Sequence, residues 1–130
     1  MGSLNRSKQG TLLRTPATWA KYQNEPKRCA EDCFLCNPEG LEIVRKFTHW
    51  YLCENQYPYD AIADVHRMLV PIDHVQHERD LDWMILQELE EILNAIDHSG
   101  EYDCVMRNFT VGQSHKSHLH YHLLRYRRVD

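Results

Sequence analysis

The sequence predicts an α+β fold: a largely antiparallel five-stranded sheet with one long helix and a short N-terminal helix. Three observations carry that expectation. Short segments rich in β-branched and aromatic residues follow one another with connections short enough for hairpins, which implies antiparallel pairing. One segment, 81–96, repeats its apolar residues every three or four positions, the period of a helix with one buried face. A chain of 130 residues is one domain, large enough for one core and too small for two. The element order is short helix, cysteine turn, three strands, long helix and two strands, which packs the helix on one face of the sheet.

Composition sets the class. With 42% hydrophobic and 26% charged residues the chain reads as an ordinary soluble domain. The formal charge of −4 argues against broad attraction to nucleic acid, whereas Arg125, Arg127 and Arg128 keep a local basic patch open. No apolar run reaches transmembrane length and no secretory leader is visible, so no membrane contact is expected. Cys29, Cys33, Cys36, Cys53 and Cys104 are an odd set without a secretory leader. That favours reduced thiols, metal ligation and a cytoplasmic location over a disulfide framework.

Residues 1–14 are polar and mixed, expected to form a flexible N-terminal arm before a single domain over 15–130. Thr15-Pro16 starts a helix, with Thr15 as N-cap and Pro16 in the first turn; it ends near Gln23, before Pro26. Cys33-Phe34-Leu35-Cys36 is a tight turn that aims two thiolates at one ion. A redox dithiol is the alternative, but no β-α-β pattern surrounds it. Residues 43–47 and 49–53 form two short strands, 55–60 a turn centred on Pro58, and 66–72 a third strand with an apolar centre. In the helix over 81–96, Leu81, Met84, Ile85, Leu89, Ile92, Leu93 and Ile96 share the apolar stripe, while Glu88, Glu90 and Glu91 make a solvated face. Asp80 or Asp82 suits its positive N-terminus, and Ser99-Gly100 ends it. Residues 102–111 read as a fourth strand, with Val105, Phe109 and Val111 on one face.

The last strand is the most informative stretch. In Ser117-His118-Leu119-His120-Tyr121-His122-Leu123-Leu124, histidines occupy every second position. On a strand His118, His120 and His122 share one face, and Leu119, Tyr121 and Leu123 turn into the core. Imidazole titrates near neutrality and serves as nucleophile, acid, base or metal ligand. Three readings stay open from the residues: a solvated histidine tract, a metal site on all three rings, and nucleophilic catalysis. The apolar residues between the rings argue against the first.

His118-Leu119-His120-Tyr121-His122-Leu123-Leu124 resembles the signature of the histidine-triad (HIT) superfamily, three histidines alternating with apolar residues. Asn55-Gln56-Tyr57-Pro58-Tyr59, His66, Met68-Leu69-Val70-Pro71 and His74 resemble the same family's nucleotide-pocket stretch, with Val65 where a Gly is usual and a loop from Tyr59 to His66 about two residues longer. The resemblance as a whole covers roughly residues 29–126. The resemblance implies a HIT-like fold, often a homodimer with joined sheets, and a nucleotide hydrolase or nucleotidyl transferase acting at the α-phosphate through a covalent nucleotidyl-His120. It implies His120 as nucleophile and His122 as its partner. Asn55 is expected at the ribose; Asn108, Gln113, Ser114 and Ser117 are expected at the phosphate. Three residues separate Ser114 from His118 where two are usual, so Ser114, His115 or Ser117 takes the phosphate position.

The resemblance also implies a zinc-bearing member. Cys33, Cys36, His74 and His118 would then hold a structural Zn2+, with His77 the fallback for His74. A divalent cation accompanying a polyphosphate substrate is compatible with this chemistry. Two other functions remain in view: a metallohydrolase with its metal on the triad, and a zinc-stabilised module that binds a nucleotide or partner without turnover.

Overall fold

The computed structural model describes residues 10–25, 33–110, 113 and 118–130. Helix α1 (Pro16–Gln23) starts as expected: the Thr15 hydroxyl accepts from the Thr18 amide at 3.3 Å. Five strands follow: β1 (Ile43–Lys46), β2 (Trp50–Glu54), β3 (Ala63–Pro71), β4 (Cys104–Met106) and β5 (Tyr121–Tyr126). They form one sheet in the order β1-β2-β3-β5-β4, every neighbour antiparallel. This is the α+β architecture the sequence predicts.

The long helix α2 (Trp83–Ser99) lies between β3 and β4 in the chain. Its first turn is capped by Asp82, whose carboxylate accepts from the Met84 amide, and it stops at Gly100, φ 71°. That left-handed conformation suits a residue without Cβ. Ile85, Leu89 and Ile92 pack on Trp50, Leu52, Leu69, Leu119, Tyr121 and Leu123. The Trp50 indole N–H donates to the Ile85 carbonyl at 2.9 Å, which fixes the helix against the sheet.

The opposite face is covered by the cysteine turn. Leu35 packs on Tyr51, Cys53, Met68 and Val70, and the Tyr51 hydroxyl donates to the Leu35 carbonyl. Central strands β2 and β3 are therefore buried on both sides, which accounts for the apolar centre of β3.

Three boundaries differ from the sequence expectation. Strand β3 begins at Ala63, three residues before His66, because Ala63 and Val65 pair with Tyr126 and Arg125 across a bulge. The strand expected over 102–111 shrinks to Cys104–Met106, which among the described residues is an edge strand paired with β5. Val105 and Phe109 are 45% and 74% exposed, so their apolar spacing lies on an outer face; Val111 is outside the described residues. Finally, β5 begins at Tyr121, so His118 and His120 precede the strand. The alternation survives nonetheless, since Leu119, Tyr121 and Leu123 all enter the core beneath α2. Among the described residues no helix is long and apolar enough to cross a membrane.

Residues 13 and 14, assigned to a loose arm by sequence, pack on the domain. The Ala61 amide donates to the Leu13 carbonyl at 3.1 Å, and Arg14 Nε donates to the Tyr57 carbonyl at 2.8 Å.

Candidate active site

The chain runs from Pro71 at the end of β3 past His74, and His118 arrives beside it at the entry to β5. The His118 Nε2–H donates to the Pro71 carbonyl at 2.8 Å, which leaves Nδ1 as the lone-pair nitrogen. That Nδ1 lies 3.3 Å from both Cys33 Sγ and Cys36 Sγ, and His74 Nδ1 lies 3.0 Å from Cys36 Sγ. The four ligand atoms all fall within 4.8 Å of one another. A tetrahedral site with two thiolates and two imidazoles has S···N edges of about 3.5 Å, so the cluster has the spacing of a metal centre. Burial and the adjacent Cys33 push the Cys36 thiol up to about 11, and a cation reconciles such crowded donors. The carbonyl behind His118 orients it as metal-bound histidines generally are.

His120 stands on the next alternate position. Its Nδ1–H donates to the His118 carbonyl at 2.9 Å, so Nε2 carries the lone pair. Burial holds its pKa below the usual imidazole value. The result is a neutral ring in one tautomer, the condition a nitrogen nucleophile requires.

His122, on β5, is set by a different partner. The Tyr59 amide donates to His66 Nδ1 at 2.8 Å. His66 Nδ1 is therefore an acceptor, and its proton resides on Nε2, 2.7 Å from His122 Nδ1. His66 thus donates to His122, and His122 keeps its own proton on Nε2. Desolvation is the main cause that drops His66 to about 3 and His122 well below the usual value, aided by neighbouring positive charge. The rings of His120 and His122 meet edge to face, centroids 5.0 Å apart. One ring offers a lone pair and its neighbour offers a proton donor.

No protein-family model and no curated protein matches the sequence. Solved structures do match. The chain is similar to a HIT family hydrolase from Clostridium thermocellum, with TM-score 0.58 and 22% identity over 78% of this chain and 95% of that one. It is similar to a histidine triad protein from Clostridium difficile, with TM-score 0.59 and 22% identity over 79% and 97%. It is also similar to a hypothetical histidine triad nucleotide-binding protein from Sulfolobus tokodaii, with TM-score 0.60 and 20% identity over 75% and 71%. The chain has the histidine-triad fold.

Within that fold the expected site residues sort into four groups. The metal set Cys33, Cys36, His74 and His118 is brought together as expected, and His77 is not part of it. Among the described residues this is the group whose ligand atoms could hold an ion; His120 and His122 lie outside it, which removes the support for a metal held by the whole triad. Asn108 and Gln113 join the triad: the Asn108 amide nitrogen donates to the Tyr59 hydroxyl at 3.0 Å and lies 3.4 Å from His122 Nε2. Gln113, buried, donates from Nε2 to the Asn108 carbonyl at 3.0 Å and buttresses it. Asn55 turns inward, its amide nitrogen 3.2 Å from His66 Nε2 and its oxygen accepting from the Tyr57 amide. Ser114, His115 and Ser117, with Cys29, lie outside the described residues.

His66 is the site residue to which sequence reasoning assigned no role. Its signal was an imidazole just ahead of the apolar run Met68-Leu69-Val70 in the same strand. The basic patch expected near the C-terminus is partly neutralised, since Arg127 pairs with Asp64 at 3.1 Å and Arg128 pairs with Asp103. Such exposed pairs contribute little stability, but they reduce the free charge available to a polyanion.

Proposed function

We propose that the chain is a histidine-triad nucleotide hydrolase or nucleotidyl transferase that works through a covalent nucleotidyl-His120. One observation carries the reading: His120 presents a neutral Nε2 lone pair beside a His122 whose Nε2 bears a proton. The triad motif, the fold and the similarity to structures of HIT family hydrolases support it.

His120 Nε2 attacks the α-phosphorus. A P–N bond forms while the bond to the leaving group breaks, its electron pair departing with that group. The His122 Nε2–H hydrogen-bonds the bridging oxygen and stabilises the charge gathering there. Asn108, held by Gln113, orients a phosphate oxygen. Water then attacks phosphorus, the P–N electron pair returns to His120 Nε2, and the extra proton leaves to solvent. The product is a nucleoside monophosphate; when phosphate replaces water, the enzyme is a transferase. The bond that breaks is a phosphoric anhydride or a phosphoramidate bond.

The donor set at Cys33, Cys36, His74 and His118 fits Zn2+ in a closed, structural site. Bound there, the ion would tie the cysteine turn to the triad segment and supply no chemistry to the phosphate. A homodimer, a divalent cation escorting polyphosphate and a cytoplasmic location belong to the same reading.

Incubation with a panel of adenosine and guanosine phosphoramidates and dinucleotides, followed by intact mass after an acid-free quench, tests the proposal. A nucleotidyl adduct or monophosphate release that disappears in His120→Ala is the expected result. Turnover that survives in His120→Ala would overturn it, and no adduct or turnover with any compound would favour a binding module.

A further inference from the structure

The N-terminal segment ahead of the triad domain reaches the relay from outside the sheet. Arg14 sits with its guanidinium carbon 4.9 Å from the Tyr59 ring centroid and 4.9 Å from that of Tyr22, while its Nε is tied to the Tyr57 carbonyl. Tyr59 is buried at 3% exposure and is the hub of the relay. Its ring lies 4.4 Å from His66 and 5.1 Å from His122, centroid to centroid. Its amide fixes the His66 tautomer, and its hydroxyl holds Asn108. A cation stacked on an aromatic ring is held by the ring's quadrupole, and the attraction grows when water is excluded.

The segment does not rest there by chance contact. The Asp60 carboxylate accepts from the Thr15 amide at 2.8 Å, the Thr15 hydroxyl at 3.0 Å and the Thr18 hydroxyl at 2.5 Å. Tyr22 meets Tyr57 edge to face, centroids 5.4 Å apart. Arg14 is therefore clamped on both sides of the residue that organises the relay.

We propose that Arg14 is a positioning residue of the active site: stacked on Tyr59, it keeps His66 and His122 neutral with the His122 proton on Nε2. This inference rests on the relay geometry and deepens the reading of the triad as a nucleotidyl-transfer site. The ionisable groups facing His66 are Arg14 from the N-terminal segment, Tyr59 from the turn before β3, and His120 and His122 from the triad segment. Those facing His122 are His120, His66, Tyr59 and Arg14. Arg14 is the permanent cation in both sets. It opposes the protonation of either ring, in the same direction as burial. Arg14 touches neither nucleophile nor phosphorus in this scheme; it acts through Tyr59.

Histidine side-chain 15N–1H correlation spectra from pH 8 down to pH 2.5, recorded without substrate, test the inference independently of turnover. In the intact protein His66 and His122 are expected to stay neutral with the proton on Nε2 until the pH falls to about 4. In Arg14→Met, which keeps an unbranched stem and loses the charge, the transition of either ring moves up by about half a unit or more, or a second tautomer appears. The acid limb of kcat/KM follows in the same direction, with kcat falling more than KM rises. Arg14→Lys restores the charge and is expected to return both spectra and pH profile most of the way. Unchanged spectra and an unchanged acid limb in folded Arg14→Met would overturn the proposal. Should that variant fail to fold, protonated or mixed-tautomer rings in Arg14→Lys would overturn it. Spectra that shift as expected in a protein without nucleotide turnover would instead sink the functional reading and leave the Arg14 clamp standing.

Discussion

The two ends of the histidine track use one residue type in opposite ways. At His118 the backbone carbonyl of Pro71 takes the Nε2 proton, so Nδ1 faces two sulfurs. At His122 another imidazole donates to Nδ1, so Nε2 keeps its proton, on the side where Asn108 lies. His120 lies between them, and its Nδ1–H is taken by the carbonyl of His118 itself. Position in the motif does not decide what each ring does; the partner of its second nitrogen does. A carbonyl partner makes a lone-pair donor, whereas an imidazole donor makes a proton donor.

The largest way to break the comparison is at its middle. His120→Ala removes the lone pair, and turnover and adduct should fall by roughly 10⁴-fold or more, read by steady-state rate and intact mass. Cys36→Ser attacks one end only. It should release the metal, measured by atomic absorption, and lower Tm by roughly 10 °C, while His118, its ring still tethered to the Pro71 carbonyl, keeps its own carbonyl on His120 and part of the rate. Turnover lost as completely as in His120→Ala would show that the two ends are not separable.

His66→Phe attacks the other end. Without a donor to His122 Nδ1, kcat should drop roughly 10–100-fold with metal content unchanged, a split that the Cys36 variant reverses. The same change sharpens the pH behaviour. His66 is neutral when folded, with its pKa near 3, and ordinary when unfolded, so the unfolded chain binds the extra proton as pH falls below 6.5. This ring alone should therefore lower stability by about 1.4 kcal/mol per pH unit from 6.5 towards 3, and His66→Phe should flatten that slope in denaturant titrations. The smallest effect is expected from Thr18→Ala, which removes one hydroxyl from Asp60 and should cost about 1 kcal/mol of stability by chemical melting.

The triad and the cysteine turn were legible because each is a local pattern. Alternation at His118, His120 and His122 and the C-x-x-C spacing are visible within a few residues, and the core side of the alternation was readable with them. The antiparallel sheet and α2 followed from short connections and a strong helical period. Strand ends were less legible because they depend on pairing: β3 extends to Ala63 only because β5 continues to Tyr126. β4 stops at Met106, where its register with β5 ends, and the apolar residues beyond face outward. The role of His66 was hidden for a related reason. In a strand that mixes charged and apolar residues a single histidine has the same local pattern whether it fills space or donates a proton, and its partner His122 lies 56 residues away. Arg14 was hidden more deeply, since a lone arginine in a polar stretch carries no period and its ring partners Tyr22 and Tyr59 become neighbours only after folding.

The turn around Asp60 collects attachments from both sides of the chain. Thr15 and Thr18 bind its carboxylate, Leu13 receives the Ala61 amide, and Arg127 donates from Nε to the Asp60 carbonyl and from its amide to the Ile62 carbonyl. The same turn carries Tyr59. An affinity tag, fusion partner or surface tether that pulls near residue 13 or residue 127 is thereby loaded onto the backbone amide that orients His66. For immobilised or fused forms of the protein, where the handle is attached becomes a variable of its chemistry and not merely of its purification.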